Sequence, residues 1–293
     1  MSNPLGNIGD LSKPATVLVE KISEAVGGIF RPYQIVRVAK AEAEVDRIRA
    51  ESEIQITDVH RRALNRFLQE EAQKQLNIEA ITQRSFPLLE EKASPDRVES
   101  DWIANFFDKC RIISDEEMQE LWSRLLAGEA NAPGSISKKT VNLLADLDKG
   151  DAILFTNLCT FVWQIRRPTP LIFDVQAPVY NARGINFVSL VHLETLGLVR
   201  FDNTSGFKQL GLPKGGIARY HGRPVVVTFP KDADNELDIG RVLLTQAGQE
   251  LARVSSSSPD EGFFQYVYDI WAGQSLVPER SSAQPPKPES TSN

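Results

Sequence analysis

The sequence predicts a mainly α protein whose C-terminal part is mixed α+β, and three observations predict it. From Tyr33 to Phe86 the chain contains neither glycine nor proline and is rich in alanine, glutamate, arginine and glutamine, which favours long helices. Between residues 94 and 165, apolar side chains recur at steps of three and four, the spacing of a buried helical face. After Pro170, β-branched residues, glycines and turn signals replace these runs.

These changes in composition divide the 293 residues into five segments. Both ends are polar and rich in proline, glycine or serine, so we expect tails with little to bury there. The segments are a disordered tail (1–14), an amphipathic helix followed by a long coiled-coil-like helix (15–92), a helical bundle (93–167), an α+β domain (168–274) and a second disordered tail (275–293).

Composition and charge exclude several classes of protein. The 41% hydrophobic and 25% charged content is typical of a soluble globular protein, and the formal net charge of −6 argues against a surface built mainly for nucleic acid. Cys110 and Cys159 are the only cysteines, and both lie in apolar helical patterns, so we expect no disulfide framework and no zinc site. A reducing cytoplasm is the compartment that fits this usage.

No segment has the character of a signal peptide or of a membrane span. Glu20, Lys21 and Glu24 interrupt the first apolar run. No window reaches the roughly 18 to 20 apolar residues that cross a bilayer as a helix. The amphipathic helix expected over residues 15–30 could make peripheral contact with a membrane surface, but its matched acidic and basic residues favour packing on its own protein.

The long helix carries an apolar stripe that repeats every eleven residues. Eleven residues in three turns give about 3.67 residues per turn, so the stripe stays on one face without left-handed supercoiling. A second row, Ile48, Val59 and Ile81, is interrupted by Glu70. Such a narrow stripe needs a partner, which is either another copy in a homo-oligomer or the chain's own bundle, and both alternatives stay open. The stripe residues are Val45, Ile56, Phe67, Ile78 and Leu89.

The segment SDEEMQELWSRLLAGEANAPG, residues 114–134, has the density of a catalytic motif but a packing explanation. Ser114 and Glu117 fit a capping box, and the acidic residues between them suit the N-terminus of a helix. Glu129 and Asn131 lie on the turn after this helix, where they need not serve a core, so they are candidates for a functional role. The apolar residues repeat at three and four as in a core helix: Met118, Leu121, Trp122, Leu125 and Leu126.

Two more helices complete the predicted bundle. Ser135 or Ser137 would cap the first of them. Asp151 would cap the second, whose apolar positions extend from Ile153 to Val162.

The C-terminal domain has the predicted order helix, strand, loop, strand and helix. INFVSLVHLETLGLVRFD (185–202) indicates a helix that leads into a strand, and RPVVVTFP (223–230) indicates a second strand. IGRVLLTQAGQELARV (239–254) indicates a strand followed by a helix that Thr245 caps. This order, with the phrase LTQAGQELA, resembles a winged helix.

A winged helix that reads DNA presents arginine, lysine, asparagine or glutamine from its recognition helix. The corresponding helix here offers Ser189, His192, Glu194 and Thr195, and Glu194 would repel phosphate. Contact with an unknown protein partner is therefore favoured over contact with nucleic acid. The loop that would form the wing could still touch phosphates through its cations, Lys208, Lys214, Arg219 and Arg223.

No constellation of catalytic or ligand-binding residues is recognisable in the sequence. The three histidines have no nucleophile or metal-ligand motif beside them. The glycine pairs at 27–28 and 215–216 lack the spacing of phosphate-binding loops. We therefore assign no catalytic residue, no metal and no cofactor.

Two blocks of sequence resemble known families. WIANFFDKCRIISDEEMQELWSRLLAGEANAPG (102–134), preceded by RVAKAEAE (37–44), resembles a bacterial family known as a domain of unknown function, and that resemblance extends over most of the chain. More loosely, MQELWSRLLAGE (118–129) and LLADLDKGDAILF (143–155) look like the helical module of bacterial abortive-infection alpha proteins. The first resemblance implies no catalytic residues, and the second implies a role in resistance to bacteriophage.

The sequence thus favours a non-enzymatic, self-associating interaction protein, with bacteriophage defence as its setting. Two other functions stay open. One is a DNA-binding regulator that acts through the C-terminal domain. The other is a hydrolase that acts through Glu129.

Overall fold

The computed structural model describes residues 11–26 and 58–278, where helices are combined with small antiparallel sheets in a mixed α+β fold. The sequence predicted a helical N-terminal part and an α+β C-terminal part, and the order of elements agrees with this. The helices are α1 (Lys13–Val26), α2 (Asp58–Ser85), α3 (Ser100–Cys110), α4 (Glu116–Asn131), α5 (Lys138–Ala145), α6 (Lys149–Cys159), α7 (Pro178–Asn181), α8 (Phe187–Thr195), α9 (Gln246–Val254) and α10 (Glu261–Gly273).

The strands form three antiparallel sheets within the described part of the chain. The largest has the order β2-β1-β5-β6, and the other two pair β3 with β8 and β4 with β7. The strands are β1 (Val162–Ile165), β2 (Arg167–Pro170), β3 (Val199–Phe201), β4 (Phe207–Leu212), β5 (Gly215–Tyr220), β6 (Arg223–Thr228), β7 (Asn235–Gly240) and β8 (Val242–Leu244).

Aromatic side chains form two clusters in the hydrophobic core. Among the helices, the ring of Phe106 lies 5.2 Å from those of Trp102 and Trp122. Trp163 of β1 centres a second cluster, with Tyr220 at 5.1 Å and Trp271 of α10 at 4.9 Å. All six are buried in one continuous hydrophobic cluster. Large rings such as these supply much of the apolar area that folding removes from water.

The start of α4 differs from the predicted capping box. The N-cap is Asp115, whose carboxylate accepts hydrogen bonds from the N–H groups of Glu117 and Met118, both at 3.1 Å. The Ser114 hydroxyl instead contacts the side-chain amide of Asn77 on α2. The prediction was wrong by one residue because a neighbouring carboxylate caps the helix, which leaves the serine to hold α2.

The last helix of the predicted bundle also begins and ends earlier than expected. Asp148 is the N-cap of α6, and Asp151 lies at the third helical position, where it completes a capping box. The helix ends at Cys159, and Val162 begins β1, so the expected helical run to Val162 was wrong. Burial alternates along β1, with Trp163 and Ile165 inside, and that period of two is typical of a strand.

Two segment boundaries fall inside packed structure. β1 and β2 pair across Arg166, so this hairpin straddles the predicted boundary at 167/168. At the end of the chain, Leu276 and Val277 are buried, and the Leu276 carbonyl accepts a hydrogen bond from the Thr228 N–H at 2.8 Å. Residues 1–10 and 279–293 of the expected tails lie outside the described residues.

The C-terminal elements confirm the expected helices and strands but not a simple wing. Helix α8 leads into β3, and β8 leads into α9, where the Thr245 hydroxyl accepts a hydrogen bond from the Gly248 N–H at 3.1 Å. The expected loop with four cations contains β4 and β5, which do not pair with each other. β4 pairs with β7, whereas β5 pairs with β6 and β1. The two strands therefore belong to different sheets.

Gly248 allows α9 to pack closely on the chain that precedes β3. A β-carbon at this position would lie 2.1 Å from the carbonyl oxygen of Leu198, far inside van der Waals contact. The glycine in LTQAGQELA therefore has a packing role, because it lets the helix approach the backbone.

Candidate interaction surface

Helix α2 is divided into an exposed half and a docked half. Its side chains are exposed from Asp58 to Gln73, apart from the half-buried Leu64. From Asn77 onward, one face packs on α4, and Asn77, Ile81 and Ser85 are buried. The helix therefore leaves the body of the protein one turn before Asn77.

The eleven-residue stripe follows this division. Ile78 and Leu89 pack against the hydrophobic core, and Ile81 of the second row is fully buried. Phe67, by contrast, is 57% exposed, and Val59 of the second row is 61% exposed. Val45 and Ile56 lie outside the described residues. The described stripe thus packs within the chain at one end and is open to solvent at the other.

Further apolar side chains are exposed on α2. Leu68, next to Phe67, is 40% exposed, and Leu76, nine residues after Phe67, is 52% exposed. Leu64 lies three residues before Phe67 and four before Leu68, so the three share one side of the helix. These apolar side chains make this side of the helix the candidate interaction surface.

Charged side chains on the exposed half of α2 pair within the helix. Asp58 contacts Arg61 and Arg62, Arg66 lies 3.5 Å from Glu70, and Glu71 lies 2.7 Å from Lys74. These pairs are three or four residues apart and support the helix by a few tenths of a kcal/mol each, or about 0.2–0.5 kcal/mol. They keep this half of α2 helical without burying it.

Glu129 and Asn131 both bind the chain's own backbone. Oε1 of Glu129 accepts from the Gly134 N–H at 2.6 Å, and Oε2 accepts from the Ile136 N–H at 2.9 Å. The Asn131 side chain accepts from the Glu90 N–H at 2.9 Å and donates to the Leu88 carbonyl at 3.0 Å. Glu129 thus stabilises the turn after α4, and Asn131 binds the segment that follows α2.

The electrostatics of Glu129 fit this structural position. Burial raises the pKa of its carboxyl, while the backbone hydrogen bonds from Gly134 and Ile136 act to lower it. Glu250 of α9 is close enough for its charge to raise the same pKa. Since both oxygens of Glu129 already accept N–H groups, neither points freely at a substrate.

Glu250 ties α9 to the N-terminus of α5. Its Oε2 accepts from the Ser137 N–H at 2.8 Å and from the Thr140 hydroxyl at 2.6 Å. Burial acts to raise the pKa of Glu250, but the hydrogen bonds from Thr140 and Ser137 outweigh it and hold that pKa below its usual value. No local pattern could predict this contact, because 110 residues separate Glu250 from Thr140.

A cleft of about 370 Å³ lies between α4 and α9. Its lining includes Arg124, Asn131, Glu250 and Arg253. Arg124 is paired with Glu120 at 3.0 Å, and the carboxylate of Glu250 is occupied as described above. Two of its charged groups, Arg124 and Glu250, are therefore held by partners within the chain.

Ion pairs occupy three of the four cations predicted to touch nucleic acid. Lys208 lies 2.9 Å from Glu236, and Lys214 lies 2.8 Å from Asp232. Arg219 on β5 is exposed and forms no ion pair with the described residues. Arg223 lies 3.1 Å from Glu261 and stacks over the ring of Phe264 at 3.8 Å.

The polar residues of the expected recognition helix, α8, also have partners inside the chain. Ser189 completes a capping box with Asn186, Glu194 accepts from the Phe201 N–H at 3.0 Å, and Thr195 donates to the Val191 carbonyl at 3.0 Å. His192 lies 2.6 Å from Asp151 of α6.

The apolar side of α8 is the part that sequence reasoning missed. Phe187, Val188 and Val191 are exposed on it. The signal available in the sequence was three apolar residues at steps of one and three.

Two general features of the described residues bear on the kind of site present. Within residues 11–26 and 58–278, no three histidine, cysteine, aspartate or glutamate side chains are grouped as a metal ion would require. Over the same ranges, no helix combines the length and the apolar character that a bilayer crossing needs.

Comparison with known proteins gives one match. The family described as "Protein of unknown function (DUF2806)" matches residues 61–268, which include nearly all of α2 and the whole C-terminal sheet region. No curated protein and no solved structure matches the chain. With more than half of its length matched, the chain belongs to the DUF2806 family of proteins of unknown function.

Proposed function

We propose that this chain is a non-enzymatic interaction protein of the bacterial cytoplasm that self-associates through the exposed half of α2. The observation that carries the proposal is Phe67, a large aromatic side chain that is 57% exposed in the middle of a solvated helix. Leu64 and Leu68 extend the apolar surface on the same side. Fully burying a side chain such as phenylalanine against a partner is worth about 1.5–3 kcal/mol.

The hydrogen bonds of Glu129 support a non-enzymatic role. Glu129, the one residue considered for hydrolysis, has both oxygens bound to backbone N–H groups. A general acid or base needs an oxygen that can reach the reacting group. Glu129 lacks one, and the interaction surface on α2 is the better candidate for function.

The exposed apolar side of α8 supports a second, heterologous contact. Phe187, Val188 and Val191 form a compact group on a nine-residue helix. Apolar groups with polar neighbours are typical of sites that bind proteins. We propose that the C-terminal domain binds its protein partner there.

The test of self-association is the solution mass of the full chain, measured by light scattering over a range of concentrations. Wild type is expected to be an oligomer, and Phe67→Glu is expected to be a monomer with unchanged circular dichroism. Gln69→Glu is the matched control, because it adds the same charge two residues away at an exposed polar position and should leave the mass unchanged. A monomeric wild type at all concentrations would contradict the proposal.

DNA binding is the alternative, and Arg219 is the residue that favours it. A lone exposed arginine supplies one phosphate contact, whereas Lys208 and Lys214 would first have to leave their acidic partners. Fluorescence anisotropy with duplex DNA at low salt separates the two functions. Affinity that falls with salt and is lost in Lys214→Glu with Arg219→Glu would favour a regulator, and no binding would exclude it.

Bacteriophage defence is the proposed setting, and it is motivated by the resemblance of α4 and of residues 143–155 to abortive-infection alpha proteins. Expression of the wild-type chain in a phage-sensitive bacterial host should lower the efficiency of plating. If defence requires self-association, phage should plate on cells that express Phe67→Glu as efficiently as on cells without the protein. Equal plating with and without the wild-type chain for a panel of phages would count against this setting.

A further inference from the structure

We propose that two copies of this chain pair through α2 in antiparallel orientation, with residue 66 at the centre of the contact. This inference rests on the self-association proposed above and adds the orientation of the partner. It is carried by the placement of two apolar and two charged residues along one side of the helix.

Arg61, Leu64, Leu68 and Glu71 lie on one side of α2, at successive steps of three, four and three residues. This is the spacing of the contact positions in a coiled coil. Arg61, Leu68 and Glu71 are exposed and Leu64 is half-buried, so this side is accessible to solvent along the exposed half of α2. Phe67 adjoins the same side between the two leucines.

The order of these four residues is symmetric. Leu64 and Leu68 lie two residues on either side of residue 66, and Arg61 and Glu71 lie five residues on either side. A two-fold axis at residue 66 therefore places Leu64 of one copy opposite Leu68 of the other, and it does so twice. It also places Arg61 opposite Glu71 twice, which is an isologous contact in which the same patch faces itself.

A parallel pair would place like charges together. Arg61 would then face Arg61 of the other copy, and Glu71 would face Glu71. Repulsion between these like charges disfavours the parallel pair, whereas attraction between Arg61 and Glu71 favours the antiparallel orientation and sets its register. Arg61 and Glu71 also pair with Asp58 and Lys74, respectively, in their own helix. All of these charges are exposed, so the attraction between the two copies should weaken as the salt concentration rises.

The experiment exchanges the two charges within one chain. The variant Arg61→Glu with Glu71→Arg keeps the composition and net charge, and both positions are exposed. It replaces the pairs with Asp58 and Lys74 by like charges, at a cost of about 0.2–0.5 kcal/mol each, so circular dichroism must first show unchanged helix content. In an antiparallel pair, the exchanged variant should associate with itself as wild type does. Mixed with wild type, however, it would face arginine with arginine and glutamate with glutamate.

Native mass spectrometry of an equimolar mixture, with one form carrying a mass tag, reads the result at low salt. Homodimers of each form are expected to exceed mixed dimers by on the order of threefold to tenfold relative to random pairing, and high salt should abolish the excess. Random pairing or an excess of mixed dimers at low salt would overturn the antiparallel arrangement while leaving self-association in place. A monomeric wild type would overturn both proposals together.

Discussion

The side-chain amide of Asn77 donates a hydrogen bond to the carbonyl oxygen of Arg111 at 2.9 Å, and this contact marks where α2 joins the body of the protein. Asn77 also contacts the Ser114 hydroxyl, while its oxygen accepts from Gln73 at 3.0 Å. Before this residue α2 is solvated, and after it the helix packs on α4. One buried asparagine thus separates the exposed surface from the docked one.

Replacing Asn77 by alanine should destabilise the docked half of α2. The Arg111 carbonyl and the Ser114 hydroxyl would lose a buried partner, which costs about 1–3 kcal/mol. Urea denaturation followed by circular dichroism measures the loss. Gln69→Ala, at an exposed position of the same helix, should change the free energy of unfolding by less than about 0.5 kcal/mol. Equal effects of the two substitutions would show that Asn77 does not anchor the helix.

The Glu129→Gln variant separates a structural role from a catalytic one. A glutamine can offer one carbonyl oxygen, so one of the N–H groups of Gly134 and Ile136 would face an NH₂ group. We expect a loss of about 1–3 kcal/mol in the free energy of unfolding. Glu91→Gln, at an exposed position that forms none of these bonds, is the control. A fully stable Glu129→Gln variant would contradict the structural role.

How much of this structure the sequence could predict depended on the range of the interaction. Thr245 was recognisable as a helix cap because its bond to the Gly248 N–H spans three residues. Ser114 was predicted as the cap in place of Asp115 because the two are equally good caps on local grounds. The Ser114 hydroxyl instead contacts Asn77, which is 37 residues away in the sequence. Local rules find elements, but they do not decide between two suitable neighbours.

The strands and the candidate surface show the same limit. The pairing of β4 with β7 joins residues about 30 apart, and no local pattern distinguishes it from a hairpin with β5. The stripe on α2 was recognisable from its period, but the division between Phe67 and Ile78 was not. That division depends on where α4 lies, and α4 is placed by the tertiary fold.

The stability of the protein should respond to acid through Glu250. The folded-state pKa of Glu250 is lowered, so its stabilising contribution is complete above its ordinary pKa and is lost as the pH falls through the folded value. Unfolding measured between about pH 6 and pH 3 should therefore show a smaller loss of stability in Glu250→Gln than in wild type. At pH 7, the variant should already be less stable, since the Ser137 N–H or the Thr140 hydroxyl loses a charged acceptor. Parallel pH profiles for the two proteins would contradict this linkage.

Gly248 of α9 should tolerate no larger residue, because its missing β-carbon is what allows the helix to meet Leu198. Gly248→Ala places a methyl group 2.1 Å from the Leu198 carbonyl oxygen, and that obstacle is backbone that cannot rotate away. We expect a loss of about 1–3 kcal/mol or more, measured by thermal or urea unfolding. Gly150→Ala in α6 is the matched control, since its β-carbon would meet no atom within 4 Å. That change should be neutral or stabilising by up to about 1 kcal/mol, because alanine is the better helix former. If both substitutions were neutral, the close contact between Gly248 of α9 and the Leu198 backbone would be contradicted.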